Sequence, residues 1–163
     1  MLSAKVIENA QQAEHYFSQD NYYTTEEGFE QSAWAGKGAA ALGLSGGVHR
    51  EQFMELLEGK VDGQELGKWV RNEETGQKER EHRPGIDLTF SAPKSVSLLA
   101  EVAGKEEVSK AHDVAVERAI AYLERVAAQA RTTVDGVTSR EDTGNLVVAQ
   151  FRHDTSRELD PQT

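Results

Sequence analysis

The sequence predicts an α+β fold in which helices pack on a β-sheet. Residues 2–7 and 86–90 alternate apolar with polar side chains, which is typical of strands with one buried face. Over residues 105–130 apolar side chains recur at three- and four-residue steps, which is typical of an amphipathic helix. A strand and a helix come first along the chain, and two helices followed by strands come last. This order favours an α+β domain with helices packed on a sheet.

The composition is that of one globular domain. The 163 residues are enough to bury a core, and we place the domain at residues 1–163. No apolar run approaches the ~20 residues of a membrane span, and the N-terminus lacks the apolar stretch of a signal peptide. The absence of cysteine excludes disulfides, thiolate metal sites and cysteine nucleophiles. These features predict a cytoplasmic protein without a membrane segment.

The net charge of −10 argues, when taken alone, against binding to nucleic acid. Phosphate recognition usually leaves a basic footprint on the protein. The acidic excess is concentrated in residues 1–58, which hold nine acidic and three basic side chains. Residues 68–94 are close to balanced. A locally basic groove on an acidic surface is therefore compatible with the composition, although composition does not predict one.

The first part of the chain is predicted to hold one strand, three helices and one loop. In chain order these are strand 2–7, helix 10–18, loop 19–25, helix 36–42 and helix 49–58. Asn9 is the expected N-cap of the first helix, because its side-chain oxygen can accept a bond from the first turn. Gly43 and Gly59 are the expected ends of the second and third helices.

The rest of the chain is predicted to contain two hairpins, two strands and two helices. In order these are a hairpin of residues 69–71 and 77–79, strand 86–90, helix 94–102, helix 105–130, a hairpin turning at residues 135–136, and strand 146–151. Pro93 is expected in the first turn of its helix. Asp135-Gly136 lies between β-prone residues, which is the strongest short-range hairpin signal in the chain. The last strand delivers Arg152 and His153 at its end.

Three tyrosines lie close together near the N-terminus, at Tyr16, Tyr22 and Tyr23. A tyrosine serves as a nucleophile where its phenol is deprotonated locally and its target is electrophilic. Without further context, most tyrosines in such positions serve packing or lie on the surface. The cluster by itself therefore leaves both interpretations open.

Asp87 and His153 are the other candidates for chemistry. Asp87 lies in an otherwise apolar strand and faces opposite to its neighbours Ile86 and Leu88, so it either points to solvent or acts as a base or as an acceptor that orients a histidine. His153 ends an apolar strand, where a single histidine is more often structural than a metal ligand. The other histidines have no spacing typical of a metal site.

The sequence as a whole resembles the relaxase domain of MobF-type conjugative relaxases, the TraI and TrwC class. Four blocks carry the resemblance in the family's order: residues 1–3 with 16–17 and 21–23, residues 34–39 with 42–46, residues 83–97, and residues 143–147 with 151–157 and 160–162. The third block, RPGIDLTFSAPKSVS, and the segment FRHDTSR of the fourth are specific. Together the blocks span essentially the whole chain.

The resemblance implies an enzyme that cuts and rejoins one strand of plasmid DNA at the transfer origin. Tyr16 matches the first nucleophile, which becomes linked to the 5′ phosphate and leaves a free 3′ hydroxyl. Tyr22 and Tyr23 match the later pair, from which a second transesterifying tyrosine can come. Asp87 matches the strand aspartate that acts as a base or orients the site. His153 matches the first of three histidines that hold a divalent metal, Mg or Mn, which polarises the scissile phosphate.

The resemblance also implies an antiparallel central sheet that carries the metal ligands, with helices on its faces. The family's other two ligands form a His-x-His pair directly after the segment that ends this sequence. We therefore expect a chain truncated before that motif, with a fold incomplete at its C-terminus and little or no nicking by itself. The family usually continues into a helicase domain. Its expected partners are single-stranded DNA at the origin and the accessory DNA-binding and coupling proteins of conjugation.

Two alternatives remain beside a relaxase. A non-catalytic fragment would hold single-stranded DNA without cutting it, with Arg83, Lys94 and Arg152 on phosphates and an aromatic side chain stacked on a base. A rolling-circle replication initiator of the wider His-hydrophobic-His nuclease group would share the chemistry. Those proteins commonly place the His-x-His pair before the tyrosine, whereas here Tyr16 comes first, which favours the relaxase.

Overall fold

The structure is a computed structural model that describes residues 1–10, 32–73, 75–134 and 136–152. Strands and helices are mixed along the chain, as the predicted α+β class requires. They are β1 (Leu2–Ile7), β2 (Ser32–Ala35), α1 (Lys37–Ala41), α2 (Arg50–Leu57), β3 (Lys60–Val61), β4 (Gln64–Glu65), β5 (Lys68–Arg71), β6 (Lys78–Glu81), β7 (Gly85–Phe90), α3 (Lys94–Ser97), α4 (Glu106–Ala127), β8 (Gln129–Val134), β9 (Val137–Asp142) and β10 (Val148–Phe151).

Within the described ranges the strands pair two by two. The pairs are β1 with β7, β2 with β10, β3 with β4, β5 with β6, and β8 with β9. The last four pairs are antiparallel. Met1 and Ser91, which flank β1 and β7, exchange both of their backbone hydrogen bonds, and this is the pattern of an antiparallel pair. The α+β class with antiparallel strands is therefore confirmed.

The described residues divide into two compact units. The first unit comprises Met1 with residues 32–47 and 90–152, and the second comprises residues 2–10 and 48–89. The buried apolar side chains of the first unit are Ala39, Ala100, Ile120 and Ala128, and those of the second are Val48 and Leu57. Among the described residues no helix has the length and apolar character needed to cross a bilayer.

Helices α1 and α2 are each followed by the glycine that was predicted to end them. Gly43 follows α1 with a φ of 71°, and Gly59 follows α2 with a φ of 76°. Both angles lie in the left-handed region, which a glycine adopts without strain, so these two residues end their helices as expected. The predicted helix 10–18 and loop 19–25 fall largely or wholly outside the described residues.

The two predicted helices after β7 differ from expectation in their ends. Pro93 precedes α3 as its N-cap, with a ψ of 146°, rather than lying in the first turn. The helix then continues as a π-helical segment at Leu98–Val102, closed by a bond from Ala103 N to Leu98 O. Helix α4 ends at Ala127 instead of residue 130, because the chain from residue 129 enters the β8–β9 ladder.

The buried side of α4 also differs from the predicted apolar stripe. Ile120 and Glu124 are its buried residues, whereas Tyr122 and Val126 are 55% and 50% exposed. The helix is rotated so that a carboxylate, rather than the full apolar stripe, faces the interior. The physical reason is that the Glu124 carboxylate accepts two backbone hydrogen bonds in the interior.

Both predicted hairpins are present, and a third was missed. Strands β5 and β6 confirm the first, and β8 and β9 confirm the second, although Asp135 in its turn lies outside the described residues. The missed hairpin joins β3 to β4 through Asp62 and Gly63, whose φ values of 48° and 73° are those of a type I′ turn. The Asp-Gly pair at this turn is a sequence pattern that indicates a hairpin. Strand β2 was missed as well, and the last strand begins at Val148 rather than residue 146.

Candidate functional site

Strand β10 leads directly to Arg152, the last residue described at this end of the chain, and to the predicted metal ligand His153, which lies outside the described residues. It pairs antiparallel with β2, and Val148 lies opposite Ala35. All four residues of β10 are partly buried, without the alternation of buried and exposed positions that usually fixes a strand's register. Contacts outside the ladder add to this pairing.

The carboxylate of Glu124 is one of these contacts. This side chain is only 5% exposed, and its Oε1 accepts a hydrogen bond from the backbone N–H of Lys37 at 2.7 Å and from that of Leu146 at 3.1 Å. Lys37 begins α1 directly after β2, and Leu146 precedes β10. Burying a charged carboxylate is costly unless it is hydrogen-bonded, and two backbone donors meet that requirement. One side chain thus joins α4 to the segments that adjoin β2 and β10.

Two glycines allow these segments to approach each other. A Cβ atom on Gly36 would lie 2.3 Å from the carbonyl oxygen of Leu146, and one on Gly38 would lie 2.7 Å from the same oxygen and 2.5 Å from Oδ1 of Asn145. The N–H of Gly38 donates to this Leu146 oxygen at 2.9 Å. The short block of residues 36–38 therefore needs glycine for a backbone contact, which supplies a structural reason for its Gly-x-Gly pattern.

Arg152 is held at the other end of β10. Its Nη1 donates to Oδ2 of Asp113 on α4 at 3.0 Å and lies 3.3 Å from Oδ1. The two side chains remain 37% and 47% exposed. Arg152, predicted as a phosphate contact, is thus engaged with a carboxylate while part of its guanidinium stays open to solvent.

Asp87 lies in β7 and is partly buried, while its neighbours Ile86 and Leu88 are 56% and 37% exposed. Side chains two apart on a strand share a face, so Asp87 shares its face with Gly85, whose surroundings include Ile7 and Leu57. Among the described residues no hydrogen bond or ion pair of Asp87 is found. Its carboxylate therefore lies on the less exposed face of β7 and is available as an acceptor, contrary to a simple solvent-facing placement.

Of the remaining predicted site residues, the structure describes Arg83 and Lys94 but not the three tyrosines. Arg83 is exposed in the link between β6 and β7, and Lys94 is the exposed first residue of α3. The tyrosines Tyr16, Tyr22 and Tyr23 lie outside the described residues, as His153 does. In the part of the chain that is described, no three histidine, aspartate or glutamate side chains come together to hold a metal ion. The described residues alone thus do not form a metal site.

The hairpin of β5 and β6 carries a basic face that sequence reasoning missed. Trp69 lies opposite Arg80, and Arg71 lies opposite Lys78. Residues directly opposite each other, and residues two apart on one strand, share a face of an antiparallel pair. Trp69, Arg71, Lys78 and Arg80 therefore share one face, called here the basic face. The period-two spacing within each predicted strand was a signal that could have found it.

The outer part of the basic face is open. Trp69 is 66% exposed, and neither it nor the exposed Lys78 makes a hydrogen bond or ion pair with the described residues. Arg71 donates from Nε to the carbonyl oxygen of Gly76 at 3.2 Å, which orients its guanidinium along the turn. Lys68 lies on the opposite face and is paired with Glu81 at 2.8 Å. An exposed indole beside two cations is suited to stacking on a base and neutralising phosphates.

Arg80 anchors the inner part of the same face. Its Nη1 lies 2.9 Å from a carboxylate oxygen of Glu65 on β4, and its Nη2 donates to the carbonyl oxygen of Glu58. The side chain is only 17% exposed. Arg80 therefore fastens the hairpin to the end of α2 rather than offering its charge to a ligand.

His82 follows β6 and packs against Gly59. A Cβ atom on Gly59 would lie 2.8 to 2.9 Å from three atoms of the imidazole ring. Its Nε2 is shielded from solvent and has no hydrogen-bond partner among the described residues. Burial, together with the nearby charge of Arg80, lowers the pKa of His82 below its ordinary value of 6.5. This histidine is therefore a neutral packing residue at neutral pH.

Curated relatives match nearly the whole chain. The multifunctional conjugation protein TraI of Escherichia coli is 45% identical over 164 residues, which cover 99% of this chain and 9% of that protein. TraI of Escherichia coli strain K12 is 43% identical over the same share. This chain thus spans about a tenth of the length of the curated relatives it matches.

Solved structures of TrwC show the same fold. TrwC in complex with a 27-mer DNA comprising the recognition hairpin and the cleavage site matches with a TM-score of 0.78 and 47% identity, over 99% of this chain and 52% of that one. The metal-free TrwC complex with OriT DNA gives 0.78 at 47% identity, and a metal-bound complex gives 0.77 at 47%. Residues 10–163 match the family described as TrwC relaxase. This chain therefore belongs to the TrwC relaxase family.

Proposed function

We propose that this chain is the N-terminal part of a conjugative relaxase, which nicks and rejoins one strand of plasmid DNA at the transfer origin. The observation that carries the proposal is the match, along 99% of this chain, to TrwC bound to OriT DNA. The chain covers 52% of that relative, so the activity belongs to a protein in which the remaining half is also present. On this proposal residues 1–163 are part of a single DNA strand transferase domain.

The reaction would be a transesterification at phosphorus. The phenol oxygen of Tyr16 loses its proton and attacks the scissile phosphate, the bond to the 3′ oxygen breaks, and that oxygen takes up a proton as it leaves. A 5′-phosphotyrosyl bond forms, so the phosphodiester energy is retained and the strand can be rejoined by the reverse step. Tyr22 or Tyr23 would carry out a second transesterification. Covalent catalysis of this kind divides one difficult step into two easier ones.

Asp87 is proposed to accept the phenol proton or to orient the group that does. This role is supported by two observations: the Asp87 carboxylate lies on the less exposed face of β7, and it makes no hydrogen bond with the described residues. An uncommitted, partly buried carboxylate is a suitable proton acceptor. His153 is proposed as one of three histidine ligands for Mg or Mn, which would stabilise charge on the phosphate.

The DNA contacts are proposed on two sets of cations. Arg83, Lys94 and Arg152 remain candidates for phosphate contacts, all with exposed charge. The basic face adds Arg71 and Lys78, with Trp69 as a platform for a base. These local groups would bind the DNA strand despite the net charge of −10. Accessory DNA-binding and coupling proteins, and a cytoplasmic site of action, are further expectations of the same proposal.

The test is the formation of a covalent adduct. The full-length protein is incubated with Mg²⁺ and an oligonucleotide that carries its transfer origin and a label at each end. The adduct, which retains the 3′ label, and the released strand, which retains the 5′ label, are separated on a denaturing gel. Tyr16→Phe is expected to abolish the adduct and the cut strand. Tyr122→Phe is the matched control, because Tyr122 is exposed on α4 beneath the Arg125 guanidinium and should leave cleavage unchanged. An undiminished adduct in Tyr16→Phe would contradict the proposal.

A second candidate is a non-catalytic module for single-stranded DNA, which the basic face favours. The same oligonucleotide distinguishes the two functions. Salt-sensitive binding without any adduct in the full-length protein would favour the module, whereas binding followed by Tyr16-dependent cleavage favours the relaxase. A replication initiator would instead cleave its replication origin in preference to a transfer origin.

A further inference from the structure

Helix α4 contacts both ends of the segment from Leu146 to Arg152, called here the β10 segment, which contains β10. Glu124 holds the N–H of Leu146 at 3.1 Å before the strand, and Asp113 holds the guanidinium of Arg152 at 3.0 Å after it. Along the helix axis the two acidic residues are separated by about three turns, or roughly 16 Å. The segment from Leu146 to Arg152 would span roughly 20 Å if fully extended. The helix and the strand are thus matched in length and run alongside each other.

The contacts at the two ends differ in strength. The Asp113–Arg152 pair is partly exposed, and such pairs hold geometry weakly because solvent competes for them. Glu124 is 5% exposed and is bound to two backbone donors that cannot rotate away. The backbone contact from Gly38 N to Leu146 O reinforces it. The fixed end of the β10 segment is therefore at Leu146.

The β2–β10 ladder by itself gives little information on register. Among the described residues Val148–Phe151 pair with Ser32–Ala35, and the whole of β10 is partly buried without alternation. A slip by one residue would move the following residues by about 3.3 Å and turn each side chain to the other face. Such a slip would carry Arg152 away from Asp113 and change the point from which the chain continues to His153. Contacts outside the ladder therefore bear on its register.

We propose that Glu124 is a positioning residue that sets the register of β10 against β2 and thereby places His153. The carboxylate binds the N–H that starts α1 after β2 and the N–H that precedes β10, so it fixes the two strands relative to each other at one end. Gly36 and Gly38 permit the approach. This inference rests on the proposed function only in giving His153 its catalytic importance. The effect on register follows from the described contacts alone.

The test measures register directly. Cross-strand backbone NOEs in the 163-residue chain report whether Val148 faces Ala35 and Gln150 faces Ala33. Glu124→Ala removes the oxygen that accepts both hydrogen bonds and is expected to weaken or shift these NOEs. Glu124→Gln keeps an amide oxygen and is expected to restore them in large part. If Glu124→Ala does not fold, Glu124→Gln still reports the role, because a neutral amide oxygen binds the Leu146 N–H more weakly and amide exchange at Leu146 should be faster than in the unaltered chain.

A matched control separates positioning from general loss of stability. Ile120→Ala removes a buried side chain that lines the same cavity as Glu124, Ala35 and Gln150, but it leaves both hydrogen bonds of Glu124 in place. Its β2–β10 NOEs should remain those of the unaltered chain. Unchanged NOEs in Glu124→Ala, or an equal disturbance in Ile120→Ala, would overturn the proposal.

Cleavage by the full-length protein provides the functional measurement. Displacement of His153 should lower kcat by about 10²-fold in Glu124→Ala while KM for the DNA changes by less than about twofold. Glu124→Gln should recover most of the loss. A shifted register with unchanged kcat would overturn the link to His153. Absence of Tyr16-dependent cleavage in the unaltered protein would instead remove the proposed function, while the NOEs would still decide the register role.

Discussion

Asp113 and Glu124 face the same strand from one side of α4 and hold opposite ends of the β10 segment, Asp113 through Arg152 and Glu124 through Leu146. Acidic residues on a helix usually lie in solvent, and Glu124 is an exception because two backbone N–H groups require an acceptor at that place. The arrangement turns an amphipathic helix into a support for the strand that leads to the predicted metal ligand.

Replacement of Gly38 by alanine should destabilise the protein although Gly38 lies in a helix. Helix propensity alone would favour alanine by about 1 kcal/mol. The new Cβ would lie 2.5 Å from Oδ1 of Asn145 and 2.7 Å from the oxygen of Leu146, and a backbone oxygen cannot move aside cheaply. We expect a net loss of about 1–3 kcal/mol in unfolding free energy, measured by urea denaturation. The control is Ala40→Gly, at an exposed position of α1, which should cost only about 1 kcal/mol. If Gly38→Ala were instead more stable than the unaltered protein, α1 and the segment at Leu146 would be free to separate.

The Asp113–Arg152 ion pair should contribute little to stability. Both side chains are more than a third exposed, so solvent screens the interaction. A double-mutant cycle with Asp113→Asn and Arg152→Gln should give a coupling of about 0–1 kcal/mol that decreases at high salt. The exposed pair of Lys110 and Glu106, at 3.2 Å on the same helix, is the reference and should give a similar value. A coupling well above the reference would mean that the pair is a second rigid anchor for β10.

Removal of the cations on the basic face should weaken DNA binding. Arg71→Ala and Lys78→Ala should each lower affinity for an origin oligonucleotide and reduce the slope of log K against log salt by about 1. Trp69→Ala should cost about 1–3 kcal/mol if the indole stacks on a base. Fluorescence anisotropy at several salt concentrations measures both quantities.

Lys68→Ala is the control for this series, because Lys68 lies on the other face and is paired with Glu81. It should leave the affinity and the salt slope nearly unchanged. An equal loss in Lys68→Ala would mean that the hairpin contributes only diffuse charge rather than one binding face.

The stability of the protein should fall as the pH is lowered through the range below 6.5, in part because of His82. Its pKa in the folded protein lies below the value of 6.5 expected in the unfolded chain, mainly because of burial. Between the two pKa values the unfolded state binds more protons, so the unfolding free energy rises with pH across that window. Below the folded pKa, both states are protonated and His82 adds no further change.

The pH effect is measured by urea midpoints at a series of pH values that begins at about 7.5, above the unfolded pKa, and descends through the window. His82→Gln should reduce the loss of stability on acidification relative to the unaltered protein. His49→Gln, at an exposed position before α2, should leave that loss nearly as it was. An identical pH dependence in His82→Gln and the unaltered protein would exclude His82 as a contributor.

Local sequence signals predicted much of the fold because the forces behind them are local. The alternation in residues 2–7 and 86–90, the glycine after α1 and the Asp-Gly turn before β9 each act within a few residues, and the structure has the corresponding elements. Strand β2 could not be predicted in this way. Its four residues are paired with β10, more than a hundred positions away, and nothing in their own pattern announces that partner.

For the candidate site, the sequence by itself determined the family, through ordered blocks that span the chain, and it nominated Tyr16, Asp87 and His153. Their roles remain predictions. Only the tertiary structure decided that Glu124 is buried, that it joins Lys37 to Leu146, and that the hairpin register gathers Arg71 and Lys78 on one face. The physical reason is that a carboxylate is stable in the interior only where donors converge on it, and those donors come from segments far apart in the sequence. Residue type and spacing carry local propensity, whereas convergence is a property of the folded chain alone.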